Sequence, residues 1–332
     1  MDLATEYLGL RLRNPLVASA SPLAQTVAGV QRLADGGVGA IVLPSLFEEQ
    51  VRHEAEQDAR LAEAGAESFA ESLSYLPATD GEAGPRRYLS LLERSAALVD
   101  VPVIASLNGV TAGGWTDYAS ALQEAGAAAI ELNIYYLPGD PLMAGRDVEQ
   151  RYVDILTTVK AAVTVPVAVK LAPYLSSVGE FAARLDTAGA DGLVLFNRFM
   201  QTDIDAETLT VSTGLKLSSP AEAALPRSWI ARLRGRVRAS LAASTGVEDA
   251  ADVAAYLLAG ADVVMSTSAL LRHGPGYAAT LLAGLDGWLK RKGFTTVAQM
   301  RGLLAAQPRD EHYGRPGYLT AIKEASRVYG GH

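Results

Sequence analysis

Short apolar runs, rich in β-branched and small residues, recur along the chain, and each is followed by a stretch whose apolar positions fall three and four apart. The runs are 15–19 (PLVAS), 40–44 (AIVLP), 102–106 (PVIAS), 128–134 (AAIELNI), 166–171 (PVAVKL), 192–197 (GLVLFN), 237–243 (VRASLAA) and 262–267 (DVVMST). Continuous apolar runs, unlike alternating ones, fit strands covered on both faces, as in a parallel sheet. The stretches between them read as amphipathic helices. Those holding Leu122, Leu185 and Leu257 each end on Ala-Gly-Ala, where glycine supplies the left-handed residue that closes a helix before the next strand. Eight such units in series predict a closed (β/α)8 barrel. An open doubly wound sheet would carry a Gly-rich first turn, which SASPLAQ (19–25) does not provide. No linker divides the chain, so one domain is expected over residues 1–332.

Three segments break the rhythm. Residues 46–80 are charged and Ala-rich, 135–147 form a Pro/Gly loop, and 198–226 read as a loop that includes a small hairpin. All three follow strand C-termini, the face where barrel active sites are built, so they are expected to be inserted loops that cover a substrate. The tail from Thr295 to Ala306 is predicted to form one further helix.

Composition narrows the chemistry. The 332 residues are 49% apolar and 20% charged, as in a soluble globular protein. Cysteine is absent, which removes disulfides, thiolate metal sites and a cysteine nucleophile or base. The four histidines are scattered without ligand-like spacing, so no metal site is expected. A net charge of -8 argues against a nucleic-acid surface; the arginines between Arg227 and Arg238 read as a solvated helix face and its exit turn. No apolar run reaches the roughly 18 residues of a membrane span. MDLATEYLGLRLRNP lacks the basic-then-apolar plan of a secretory leader. A cytoplasmic protein acting on a small molecule is expected.

Several polar residues interrupt the apolar strands. Lys170, in VAVKL, cannot face an apolar helix layer without a large desolvation cost. It is expected in the barrel mouth, facing a phosphate, a flavin or an enolate-like oxygen, or paired with a buried carboxylate such as Glu131. Asn108, Asn133 and Asn197 end their strands in like fashion (SLN, ELN, LFN), as amides that meet a planar ligand would. After the last two strands, Ser244-Thr245-Gly246 and Ser266-Thr267-Ser268 are small hydroxyl-rich turns leading into helices. In a barrel these two loops, with their free N–H groups, commonly take a phosphate; each could also be an ordinary helix cap.

Together NPLVASAS, ELN, VKLAPY, LFN and the block STGVEDAADVAAYLLAGADVVMSTSALL resemble the dihydroorotate dehydrogenase family, along nearly the whole chain. The resemblance implies FMN, with its phosphate at Thr245, Gly246, Thr267 and Ser268 and Lys170 beside the flavin ring. It implies Ala18, Ser19, Asn108, Asn133 and Gly214 around the rest of the cofactor, and Asn133, Asn197, Arg198 and Ser72 at the substrate. A homodimer is also implied. The departures gather at the substrate. Tyr136 stands where the family places a Cys or Ser base, Pro44 where it keeps a Lys, and Glu71 where it keeps an Asn. Catalytic residues are therefore expected to be Lys170 and Tyr136. A flavin-free phosphate-binding lyase and a non-catalytic flavin-binding relative are the competing readings.

Overall fold

The computed structural model describes residues 1–53, 84–111, 115–198, 202–214, 216–307 and 313–329. An antiparallel hairpin, β1 (Thr5–Tyr7) and β2 (Leu10–Leu12), precedes the first apolar run. All eight runs are strands: β3 (Leu16–Ala18), β4 (Ala40–Phe47), β5 (Val103–Asn108), β6 (Ala129–Asn133), β7 (Val167–Leu171), β8 (Gly192–Leu195), β11 (Ser240–Ala243) and β12 (Val263–Ser266). They pair in parallel and close as β11-β12-β3-β4-β5-β6-β7-β8. The hairpin expected after the sixth run is present as β9 (Thr202–Asp205) and β10 (Thr210–Thr213).

Helices alternate with the strands as expected. They are α1 (Val27–Asp35), α2 (Pro85–Leu98), α3 (Trp115–Glu124), α4 (Gly145–Ala162), α5 (Val178–Thr187), α6 (Ala224–Leu233), α7 (Ala250–Ala259), α8 (Ser268–His273) and α9 (Tyr277–Lys292). Leu33, Leu92, Leu156, Phe181 and Leu257 pack from the helices onto the outer faces of the strands. Each such side chain contributes about 1.5–3 kcal/mol by leaving water. The three Ala-Gly-Ala glycines, Gly126, Gly189 and Gly260, have φ of 93°, 98° and 118°, the left-handed closure read from the sequence. Among the described residues no helix is long and apolar enough to cross a membrane.

The barrel interior is a separate small core of Val17, Val42, Ile104, Ala168, Val194 and Met265. Its N-terminal end is plugged by Tyr7, Leu8 and Leu12 of the opening hairpin. Gly192 makes room for the plug: a Cβ there would sit 2.4 Å from Leu8 Cδ2. Below it, Asp262 accepts from Arg234 (2.9 Å) and the Leu241 N–H (2.8 Å) and forms an ion pair with Arg301 (3.1 Å).

Two sequence expectations change. Strand β4 runs past Pro44 to Phe47, with its register against β5 shifting between Val42 and Ser45; proline has no N–H for the ladder, so the strand bulges there. The tail 295–306 is not one helix. A single turn, α10 (Val297–Met300), is capped by Thr296 and ends at Gly302, whose φ is 77°. The N–H groups of Gly302, Leu304 and Ala306 then bond the carbonyls of Leu257, Leu258 and Ala231. The tail spends its donors on the ends of α7 and α6, so it cannot continue its own helix. A further helix, α11 (Arg315–Tyr329), follows with no buried residue.

Candidate active site

The inward rows of β6 and β7 turn from apolar to polar as they climb. Ala129 and Ala168 belong to the interior core, and the two-residue pleat places Glu131, Asn133 and Lys170 above them on the same face. Lys170 is buried; its Nζ lies 3.3 Å from Glu131 Oε1 and 3.4 Å from Ser19 Oγ. Glu131 is 1% exposed, and its second oxygen, Oε2, has no hydrogen-bond partner. Lys170 therefore pairs with Glu131 and also lines the space at the barrel mouth. One layer higher, Asn197 donates to Asn133 Oδ1 at 2.7 Å, and the Asn133 nitrogen points to Ser45 Oγ at 3.5 Å. Asn108 pairs in register with Asn133 and is buried.

These groups line two chambers. The larger, about 830 Å3, is bounded by Pro44, Phe47, Asn108, Asn133 and Tyr135. The smaller, about 210 Å3, is bounded by Ser19, Ser218, Thr245, Gly246, Thr267 and Ser268. Lys170 and Asn197 belong to both walls, so the chambers form one elongated space with a cation at its waist.

The narrow end is shaped by backbone strain. Thr245 and Gly246 have φ of 83° and 72°, which turns the chain tightly after β11. A Cβ on Gly246 would lie 2.7 Å from the Ala223 nitrogen, so glycine is required by close approach as well as by φ. Ser218 accepts from the Gly246 N–H (3.2 Å) and donates to Ser268 Oγ (2.9 Å), tying the two hydroxyl-rich turns together. The buried Ser266 hydroxyl has no partner. Sequence reasoning did not single out Ser218, which lies within the 198–226 loop.

The remaining candidates are dispersed. Ala18 packs in the layer between barrel and helices, one residue short of the chamber wall, which starts at Ser19. Arg198 borders the narrow chamber, but its guanidinium is held by Glu222 Oε1 (3.0 Å) and the Lys216 carbonyl. Gly214 borders a neighbouring cavity of about 580 Å3 beside the β9–β10 hairpin. Ser72, with the Glu71–Ser74 motif and most of the 46–80 segment, lies outside the described residues. The Tyr136 hydroxyl donates to Met143 Sδ at 3.1 Å, and the Arg151 guanidinium stacks on its ring at 4.2 Å. It is the preceding residue, Tyr135, that borders the large chamber.

Supports behind the wall were also missed. Tyr152 on α4 donates to the Ile134 carbonyl at 2.9 Å, and burial pushes its hydroxyl up to about 12, which keeps it a neutral donor. Tyr88 on α2 accepts from the Ser106 N–H at 2.8 Å. Glu48 receives the Val110 and Thr111 N–H groups at 2.9 and 3.2 Å.

Comparison with known proteins bears on the family of the chain. The family model for dihydroorotate dehydrogenase matches residues 2–289. The catalytic subunit of dihydroorotate dehydrogenase B (NAD(+)) of Methanothermobacter thermautotrophicus is 28% identical, covering 91% of this chain and 98% of that one. The same subunit of Methanocella arvoryzae is 31% identical over 86% and 92%. A putative dihydroorotate dehydrogenase A (fumarate) of Aeropyrum pernix is 29% identical over 91% and 97%. With a closed eight-stranded barrel and a match along most of its length, the chain belongs to the dihydroorotate dehydrogenase family of oxidoreductases.

Proposed function

We propose that this chain binds FMN in the elongated chamber and oxidises a dihydropyrimidine-like ring, with dihydroorotate as the reference substrate. The observation that carries this reading is the order of groups along one space. Hydroxyls and backbone N–H groups stand at the narrow end, Lys170 at the waist, and the amides of Asn108, Asn133 and Asn197 at the wide end. That sequence suits a phosphate, a polar chain and a flat ring in turn. Two features support the fit: a turn at Gly246 too tight for any side chain, and a buried Ser266 hydroxyl in need of a partner.

Thr245, Gly246, Thr267 and Ser268 would hold the phosphate, and Ser19, Lys170, Asn108 and Asn133 the ring and its chain. Bound FMN would supply a two-electron acceptor for a hydride. Lys170 would offer positive charge to the ring, and its burial would keep that charge from being screened by water. Asn133 and Asn197, locked to each other, present amides in fixed orientation to a planar substrate. Of the two tyrosines after β6, we assign the substrate-facing role to Tyr135, which borders the chamber, and the anchoring of the loop to Tyr136. Relatives described as catalytic subunits support a partner protein as one exit for electrons.

The test is an absorbance spectrum of the protein supplied with FMN, followed by anaerobic mixing with dihydroorotate. Uptake of FMN and bleaching of its visible band are the expected results. No uptake would favour a flavin-free phosphate-binding barrel. Uptake without bleaching would move the substrate away from dihydroorotate, or leave a flavin-binding relative without this activity.

A further inference from the structure

We infer that Glu131 is a positioning residue that fixes the Lys170 ammonium at the chamber's waist and withholds part of its charge from the cofactor, so that this carboxylate sets the redox poise of bound flavin. The inference rests on the FMN reading above and extends it to a residue that touches neither cofactor nor substrate.

The strands dictate the placement. Glu131 is on β6 and Lys170 on β7, neighbouring strands in the barrel, and both point inward. Glu131 sits below the chamber, 1% exposed, while Lys170 belongs to the chamber wall. The ammonium thus reaches down to Glu131 at 3.3 Å, sideways to Ser19 at 3.4 Å, and keeps donor capacity for a group above it. Both contacts are long for charge-assisted hydrogen bonds, which run about 2.7–2.9 Å. The cation is shared rather than consumed.

Glu131 in turn is an under-satisfied anion. Oε2 accepts from no donor, and among the described residues Lys170 is its ion-pair partner. Its charge acts on two buried phenols of other elements. Tyr7 from the hairpin and Tyr88 from α2 are both raised well above the usual phenol range, first by burial and then by the Glu131 charge. Neither supplies a positive charge. A carboxylate so placed opposes any further negative charge in the chamber, and among the described residues Lys170 is the cation paired with it. Removing the carboxylate would leave a buried ammonium whose strongest available counter-charge is a reduced, anionic flavin.

The experiment compares FMN-loaded wild type with Glu131→Gln and Glu131→Asp. The readouts are the midpoint potential, from dye equilibration, and the affinity for sulfite, a probe that binds oxidised flavin as an anionic adduct. Glu131→Gln should raise the midpoint and tighten sulfite by roughly tenfold or more, a modest share of one nearby charge in a low dielectric. Glu131→Asp keeps the charge on a shorter arm and should shift both in the same direction by less. A Gln variant with wild-type midpoint and sulfite affinity overturns the inference, since Glu131 would then carry no effective charge. Equal shifts in Asp and Gln overturn it too, because charge would not be the cause. If the Gln variant does not fold, Glu131→Leu, which also removes the charge, takes its place, and an unchanged midpoint is fatal. Wild type that takes up no FMN is a different result and sinks the cofactor reading instead.

Discussion

Asn197 on the β8 exit donates its side-chain N–H to the Asn133 amide oxygen across 2.7 Å, joining strands that flank β7 and its Lys170. Each amide thereby fixes the other. With its oxygen engaged by Asn197, Asn133 turns its nitrogen to Ser45, so the orientation of donors and acceptors over the chamber is set before any ligand arrives. Asn133→Ala and Asn197→Ala should each weaken FMN binding. The double variant should lose less than the sum, with a coupling of about 0.5–1.5 kcal/mol in a cycle of FMN dissociation constants. Strict additivity would show that the pair does not act as a unit.

Gly246 and Gly214 were grouped together by resemblance, and the structure separates them. Gly246 has φ of 72° and stands 2.7 Å, through a notional Cβ, from the Ala223 nitrogen. Gly214 has nothing within 4 Å and no left-handed backbone. Gly246→Ala should cost about 1–3 kcal/mol in stability from the strained backbone alone and lower FMN affinity with it. Gly214→Ala should stay within about 0.5 kcal/mol of wild type, as open surface sites do. Thermal melts and FMN titrations check both; equal losses would mean that Gly214 also approaches the cofactor.

Tyr136→Phe removes one weak hydrogen bond to the Met143 sulfur and leaves the stack under Arg151. Flavin reduction by substrate should therefore keep its rate in that variant. Tyr135→Phe alters a chamber wall and should change the reduction rate or the substrate's apparent affinity. Stopped-flow mixing of both variants with dihydroorotate separates them. A large loss of rate confined to Tyr136→Phe would restore Tyr136 as the proton acceptor.

The barrel was legible because strands covered on both faces must be apolar throughout, and eight such runs leave few other architectures. Lys170, Asn133 and Asn197 were legible for the complementary reason: a polar residue in such a strand needs a special destination. What stayed hidden depends on contacts distant in sequence. TEYLGLRL gives no sign of a hairpin because its buried faces, Tyr7 and Leu12, are defined only by the barrel end they plug. Ser218 joins the phosphate-like turns through Ser268, fifty residues away. Of two adjacent tyrosines, Tyr136 lies under Arg151, supplied by α4, and Tyr135 borders the chamber. Thr295–Ala306 has helical spacing, yet its donors are claimed by the ends of α6 and α7.

Glu48 gives the clearest pH signature. It is buried just beyond β4, and burial alone would push its carboxyl up. The Thr111 hydroxyl, the Val110 and Thr111 N–H groups and the charge of Arg52 outweigh that and hold it below the usual carboxylate range. A group with a lowered folded-state pKa contributes stability that is present above its unfolded value, about 4.3, and is lost as pH falls through the folded value. Glu48→Gln should cost about 1–3 kcal/mol at pH 7, the range for hydrogen bonds to a charged group. That cost should shrink as the pH is lowered from about 5 towards 3, because the wild-type carboxyl then takes up its proton. Urea unfolding of both proteins across this range is the measurement, and a gap that stays constant would show that the carboxyl is not held low. The loop that Glu48 anchors continues directly from Asn108, and Arg151 bonds its Val110 carbonyl at 2.8 Å. FMN affinity should therefore fall along with stability in the Gln variant, with the larger difference from wild type at neutral pH.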